Sequence, residues 1–343
     1  MSKARAARKL AAAAAFGGGG LSVAGASLYG LLRAEAWAAR KRIGRTKGQP
    51  PDPTGLYGHD LPGSAIRLAV LGDSGAAGYG AMAPEETFGA YLAAGLSELA
   101  GRPVFVDSEA RIGAKTADLE HQISLALASM PDVCAIIIGT NDVTHRVAPS
   151  SSVRSLQLAV QQLRAAGAEV IVGTCPDLGT LRPVAQPLRE VARQWSRRLA
   201  AAQTIATVEA GGLSVSLGSI LGAEFRASPA DMFGPDRFHP SPAGYRSCAQ
   251  AMLPTVAAAI GVVPDGDDEP EAARGDAVRS LPRAAALAAE STGTEVSQAQ
   301  LGGADRGPAG RWALLRHRRR HDAPVVGEVD DSPEQATESL TSR

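Results

Sequence analysis

Between residues 66 and 263, short apolar runs alternate with longer amphipathic segments, and no other feature of the chain constrains its fold as much. The runs Ile66–Leu71, Val104–Val106, Val133–Ile138 and Val170–Val172 are too short for helices and rich in β-branched residues, so they predict strands. Segments with helical periodicity lie between and after them, at about 87–100, 116–129, 150–166, 187–202 and 242–260. Strands that run parallel need a long crossover, and an intervening helix supplies it. The run Cys134–Ile138 is apolar at every position, as expected of a strand covered on both faces. The expectation is an α/β fold: a three-layer α/β/α sandwich around a mostly parallel sheet, in one domain spanning 65–263.

The flanking segments read differently. Lys3, Arg5, Arg8 and Lys9 precede an uncharged stretch from Leu10 to Leu32, and Arg33, Arg40, Lys41 and Arg42 follow it. At about 1.5 Å per residue that stretch is long enough to cross a bilayer core. It also carries Ala24-Gly25-Ala26, the pattern of a signal-peptide cleavage site. Residues 1–42 are therefore expected to be a membrane anchor or a cleaved signal peptide, with a soluble amphipathic segment as the third reading. Both flanks are basic, so charge gives an anchor no clean orientation; the expected location is the extracytoplasmic face of the membrane, or secreted or in the cell wall. Residues 43–64, punctuated by Gly and Pro, are expected to be a linker. Residues 264–343 hold one aromatic residue, Trp312, among many charged and small ones, and are expected to be largely disordered. The run Arg316–His321 reads as a solvated charge cluster.

Composition narrows the function. Lys+Arg and Asp+Glu both number 35, a balance that argues against a nucleic-acid partner. Cys134, Cys175 and Cys248 lack the spacing of a disulfide framework or a zinc site. Neither a metal nor an organic cofactor is expected, and nothing points beyond a monomer.

Ligands of open parallel sheets gather outside the carboxyl ends of the strands, so the residues following each strand carry the chemistry. After Leu71 comes Gly72-Asp73-Ser74-Gly75. Past the second strand comes Arg111-Ile112-Gly113-Ala114-Lys115-Thr116. After Ile138 comes Gly139-Thr140-Asn141-Asp142. Just before the last helical segment lies Asp236-Arg237-Phe238-His239-Pro240. Together they supply a hydroxyl, amide donors, a carboxylate and an imidazole, the parts of nucleophilic acyl transfer.

Gly72-Asp73-Ser74, Gly113, Gly139-x-Asn141-Asp142 and Asp236-x-x-His239 resemble, in order, the four sequence blocks of the SGNH/GDSL hydrolases. The resemblance covers about residues 66–260. It implies the flavodoxin-like sandwich of that family and a serine esterase: Ser74 as nucleophile, His239 as base and Asp236 orienting the imidazole. It also implies an oxyanion hole from the backbone N–H groups of Ser74 and Gly113 and the side-chain amide of Asn141. The substrate class implied is a short- to medium-chain acyl ester of a lipid or cell-envelope sugar. Acyl transfer to a sugar or lipid acceptor, and a catalytically idle envelope binding domain, stay open beside it. An α/β-hydrolase would instead want G-x-S-x-G well inside the chain, and Ala76 stands where its last glycine would be.

Each residue also has a plainer role. Asp73 and Asp142 are expected to hold their turns, as short polar side chains do. Asp236 has helix capping as an alternative. His59, His121 and His145 are expected on loops or the surface, His145 nearest the site mouth. Cys134 and Cys175 are expected as small core residues. Met232, Phe233 and Phe238 either line an acyl pocket or simply pack.

Overall fold

A computed structural model describes residues 27–43, 48–262 and 295–296. A helix α1, described over 27–42, comes first. Then follow β1 (Gly55–Tyr57), β2 (Ile66–Gly72), α2 (Phe88–Ala100), β3 (Val104–Ser108), α3 (Leu119–Ala126), β4 (Val133–Ile137), α4 (Thr140–Thr144) and α5 (Pro149–Ala165). The chain continues through β5 (Glu169–Gly173), α6 (Leu188–Glu209), β6 (Leu213–Val215), α7 (Leu217–Ala227), α8 (Pro229–Met232) and α9 (Pro242–Ala259), with β7 at Glu295–Val296.

The strands form one sheet in the order β1-β3-β2-β4-β5-β6-β7. The five from β2 to β6 are parallel, and β1 and β7 lie antiparallel at the two edges. The central strands are buried on both faces because their alternate residues enter two separate cores. Leu68 and Val70 of β2, and Val133, Ala135 and Ile137 of β4, face a core shared with Leu92 and Leu96 of α2 and Met252 and Val256 of α9. Ala69, Leu71, Cys134 and Ile136 face the other core, with Leu119 and Ile123 of α3 and Leu156 and Leu163 of α5. A period of two in a continuous apolar run yields this arrangement. The expected three-layer sandwich is therefore the observed fold.

Helix boundaries follow local chemistry. Thr87 caps α2 by accepting from the Ala90 N–H, and Gly101, at φ +58°, ends it in a left-handed turn. Ser241 caps α9 in the same way by accepting from Gly244, and Pro242 occupies the first turn. Helix α6 receives its cap from far away: the Leu188 N–H donates to Glu35 of α1 at 2.8 Å.

Within segment 43–64, expected as a linker, Gly55–Tyr57 pairs with β3 as an edge strand. Three residues between glycines and prolines carry too little periodicity to announce a strand. Residues 1–26, with most of the uncharged stretch, lie outside the described residues, as does the tail apart from β7. Among the described residues no helix is long and apolar enough to cross a membrane.

Candidate active site

Ser74 follows β2, whose neighbours β3 and β4 lead to opposite halves of the sheet, so it stands at a topological switch point. The backbone leaves the strand at Gly72 with φ +135°. A Cβ there would lie 1.9 Å from the Ile137 carbonyl oxygen, so only glycine fits. The turn is then pinned by its own residues. The Asp73 N–H donates to Ile137 O at 3.0 Å, and the Gly75 N–H donates to the Asp73 carboxylate at 2.9 Å. Gln122 of α3 clamps Gly72 from the side, accepting from its N–H at 2.7 Å and donating to its carbonyl at 2.9 Å.

His239 comes from the loop before α9. Its Nε2 lies 3.0 Å from Ser74 Oγ and its Nδ1 2.6 Å from Asp236 Oδ2. The other oxygen of Asp236 accepts from the N–H groups of Phe238 and His239 at 2.9 and 3.0 Å. Burial alone would raise the Asp236 carboxyl, but the His239 side chain and these two backbone donors outweigh it and bring it down to about 2. The ring is held edge-on between Tyr79 and Phe238, with centroids 4.8 and 4.9 Å away. Tyr245 of α9 in turn donates its hydroxyl to the Tyr79 carbonyl at 2.8 Å. Ser241, not Asp236, caps the following helix.

The remaining two blocks are tied to each other. The Arg111 N–H donates to Gly72 O at 3.0 Å, bringing its loop to the end of β2. Asn141 Nδ2 donates to Ala114 O at 3.0 Å, which leaves the amide's second N–H for another acceptor. Asp142, buried, accepts from the Thr116 N–H at 3.0 Å and from the Ser152 hydroxyl at 2.6 Å. The backbone N–H groups of Ser74 and Gly113 donate to no acceptor among the described residues. Gly113 has φ +80° and open space where a Cβ would stand. Its left-handed backbone, and not crowding by the protein, is what calls for glycine there.

Asp73 is the misfit of the site. It is buried, and desolvation raises its carboxyl to about 6 against the help of the Gly75 N–H and the nearby His239. Cys134 and Cys175 are buried, as expected of core residues. His59 is exposed beside Asp60, and His121 is exposed on α3. His145 Nδ1 lies 2.9 Å from the Asn141 carbonyl oxygen, and its side chain borders a shallow depression shared with Arg33, Trp37 and Arg40 of α1.

A narrow cleft holding about 800 Å³ of unfilled space, its open mouth included, begins at Ser74 and His239. Phe233 and Phe238 line it, whereas Met232 packs in the core beside them. Gln122, Tyr79 and Gln203 went unnoticed in the sequence; Gln203 accepts from the Cys175 N–H at 2.7 Å and donates to Ile138 O at 2.9 Å. A buried amide that braces backbone leaves no pattern in a single sequence.

Residues 70–247 match the GDSL-like Lipase/Acylhydrolase family. The chain is 36% identical over 250 residues, 68% of its length and 79% of the relative's, to the GDSL-like esterase Rv1075c of Mycobacterium tuberculosis (strain ATCC 25618 / H37Rv). Among solved structures, it is similar to TesA, with 24% identity, a TM-score of 0.45, and coverage of 55% of this chain and 97% of that one. It is also similar to Axe2, an acetylxylan esterase from Geobacillus stearothermophilus, with 21% identity, a TM-score of 0.44, and coverage of 59% and 97%. The family match extends over more than half of the chain and takes in Ser74, Gly113, Asn141, Asp236 and His239. The chain thus belongs to the GDSL-like lipase/acylhydrolase family, that of the SGNH hydrolases, and is an ester-hydrolysing enzyme.

Proposed function

We propose that this enzyme is a serine esterase that works through an acyl-enzyme on Ser74 and acts on short- to medium-chain acyl esters of lipids or cell-envelope sugars. The observation that carries the reading is the unbroken contact from Asp236 Oδ2 through both nitrogens of His239 to Ser74 Oγ, at 2.6 and 3.0 Å. Asp236 holds the imidazole with its proton on Nδ1, so that Nε2 is free to accept. Ser74 Oγ attacks the ester carbonyl carbon while its proton passes to His239 Nε2. The carbonyl π electrons move onto oxygen, where the N–H groups of Ser74 and Gly113 and the Asn141 amide receive the negative charge. Collapse of this intermediate breaks the bond to the alcohol, which leaves with the proton from Nε2. A water molecule then attacks the acyl-enzyme by the same route, releasing the acid and restoring Ser74. Each step draws on protein groups and water alone, so turnover is expected to survive exhaustive chelation with EDTA.

A fluorophosphonate probe tests the nucleophile. The wild type is expected to label at one site, and Ser74→Ala to lose both labelling and turnover, the latter by about 10⁴–10⁶-fold. Equal labelling of the two proteins rejects the mechanism. We also propose an extracytoplasmic location, supported by the length of the uncharged stretch Leu10–Leu32 and by Ala24-Gly25-Ala26, the pattern of a signal-peptide cleavage site. Recovery of the native protein in the cytosolic fraction would refute that location.

A further inference from the structure

We infer that the depression between α1 and the turn after α4 binds the phosphate of an anionic lipid head group, so that this face of the enzyme rests on a bilayer surface. The inference goes beyond the serine-esterase reading and does not depend on it.

The depression holds about 1030 Å³ of unfilled space, its open mouth included. Arg33, Trp37 and Arg40 of α1 line one side of it, and Thr144, His145 and Arg146 the other, with no carboxylate in the lining. The three arginines are exposed and form no ion pair among the described residues. Glu35, the acidic residue of α1, is spent instead on the Leu188 N–H. Arg146 enters the lining from a left-handed backbone, φ +57°, a conformation uncommon for any residue but glycine. Guanidinium groups gathered without a carboxylate suit a phosphate, whose oxygens accept the paired N–H groups of arginine.

The rest of α1 decides for a lipid over a soluble phosphate. Glu35 and Ala39 hold the helix to the domain, and Leu32 and Ile43, on the same stripe, are half-buried. Leu28, one turn earlier on that stripe, is 52% exposed, so the first turn of α1 stands clear of the domain. Leu31 and Trp37 are exposed as well, and Lys41 Nζ stands 3.8 Å over the Trp37 ring. Exposed leucines, an indole and the cations Arg33, Arg40, Lys41 and Arg42 on one helix make up a membrane-interface segment: leucines enter the acyl layer, while the indole and the cations stay at head-group level. The uncharged stretch that begins at Leu10 also ends within this helix, at Leu32.

His145 joins this surface to the site. Its Nδ1 lies 2.9 Å from the Asn141 carbonyl oxygen, one helical turn, or about 6 Å of rise, from the residue whose amide is assigned to the oxyanion. A head group held in the depression therefore brings the mouth of the site beside the bilayer.

The test holds the full chain in neutral detergent micelles, with Trp37 as its one tryptophan (Trp195→Phe, Trp312→Phe), and follows the indole emission. Ether-linked phosphatidylglycerol or phosphatidylcholine, which an esterase cannot cleave, is titrated in, and inorganic phosphate separately. Each basic side chain at an anionic surface is worth about fivefold, so phosphatidylglycerol is expected to saturate the change at a concentration at least tenfold below phosphatidylcholine. Arg40→Gln combined with Arg146→Gln is expected to erase that advantage, whereas Arg198→Gln, exposed on α6, leaves it intact. Circular dichroism checks the fold, and Arg146→Gln alone, with an expected loss of about fivefold, serves if the double variant fails to fold. Equal affinity for the two lipids, or an advantage that survives in the folded variants, overturns the site. An advantage lost equally in Arg198→Gln overturns it in favour of diffuse charge. Saturation by inorganic phosphate at concentrations as low as those of phosphatidylglycerol overturns the lipid as its source. No readout here involves Ser74, so each of these failures leaves the serine-esterase reading standing.

Discussion

Asp73 and Asp236 are buried carboxylates of one site, yet their surroundings move them in opposite directions. Asp236 faces an imidazole and two backbone donors and titrates at about 2, whereas Asp73 is dominated by desolvation and titrates at about 6. A depressed carboxyl contributes stability that is present above its unfolded value near 3.8 and is lost as pH falls through about 2. A raised carboxyl works the other way: between about 3.8 and 6 its ionisation increasingly opposes folding, and above that range the full penalty applies. Two units correspond to about 3 kcal/mol as an upper bound for Asp73. Asp73→Asn is therefore expected to be more stable than wild type in urea at pH 7.5, with the advantage gone at pH 4. An equal gain at both pH values would place the effect elsewhere. For the proposed reaction, Asn141→Ala is expected to lower kcat by about 10²–10³ with KM little changed, because in that mechanism the amide would meet the oxyanion only as it forms. Asp236→Asn is expected to cost about 10⁴ in kcat through the wrong imidazole tautomer, while the protein still folds. Ser74, Asn141, Asp236 and His239 were readable because each is a fixed residue type at a strand end or before a helix. Gln122 and Tyr79, which brace Gly72 and the imidazole, were not, because many residue types brace a backbone and only the fold brings these two there.

Secondary-structure elements were legible in proportion to their burial. Strands β2 to β5 are apolar runs enclosed by helices, and their expected positions match within two residues at each end. Helices α2, α5 and α9 begin at Thr87, at Pro149 and at Ser241-Pro242, all of them helix-start signals in the sequence. Helix α6 runs seven residues past the expected 202, to Glu209, because the small and β-branched residues Ala206, Thr207 and Val208 keep packing after the strong periodicity fades. Strand β6 escaped notice because three residues between a glycine pair and a helix give no alternation. Helix α7, whose small residues blur its apolar face, was also missed, and with it the wall of the cleft. Gly72→Ala is expected to be the most damaging single-methyl addition at the site, since the new Cβ overlaps the β4 backbone at an unfavourable φ. Loss of soluble protein, or destabilisation above about 3 kcal/mol in denaturant, is the expected result. Gln122→Leu is expected to cost about 1–3 kcal/mol by leaving the Gly72 N–H buried and unpaired, the Gly72 carbonyl keeping the Arg111 N–H.

At the scale of the molecule, two cores on opposite faces of one sheet hold the loops that carry the four sequence blocks, and the flanking segments contribute more than connection. Helix α1 reaches α6 through Glu35 and buries Ala39 against the domain. A chain beginning at residue 48 is expected to lose about 1 kcal/mol through the missing cap, a drop of a few degrees in Tm, while retaining turnover. At the outer flanks of the sheet, β1 covers β3 and β7 covers β6, both running against the parallel strands. Three residues on one side and two on the other are enough to occupy donors and acceptors that would otherwise recruit a neighbouring copy. Such short borders are expected to guard against self-association. Trimming the chain to residue 65 would therefore show itself first as turbidity and a rising light-scattering radius, before any change in the chemistry at the serine.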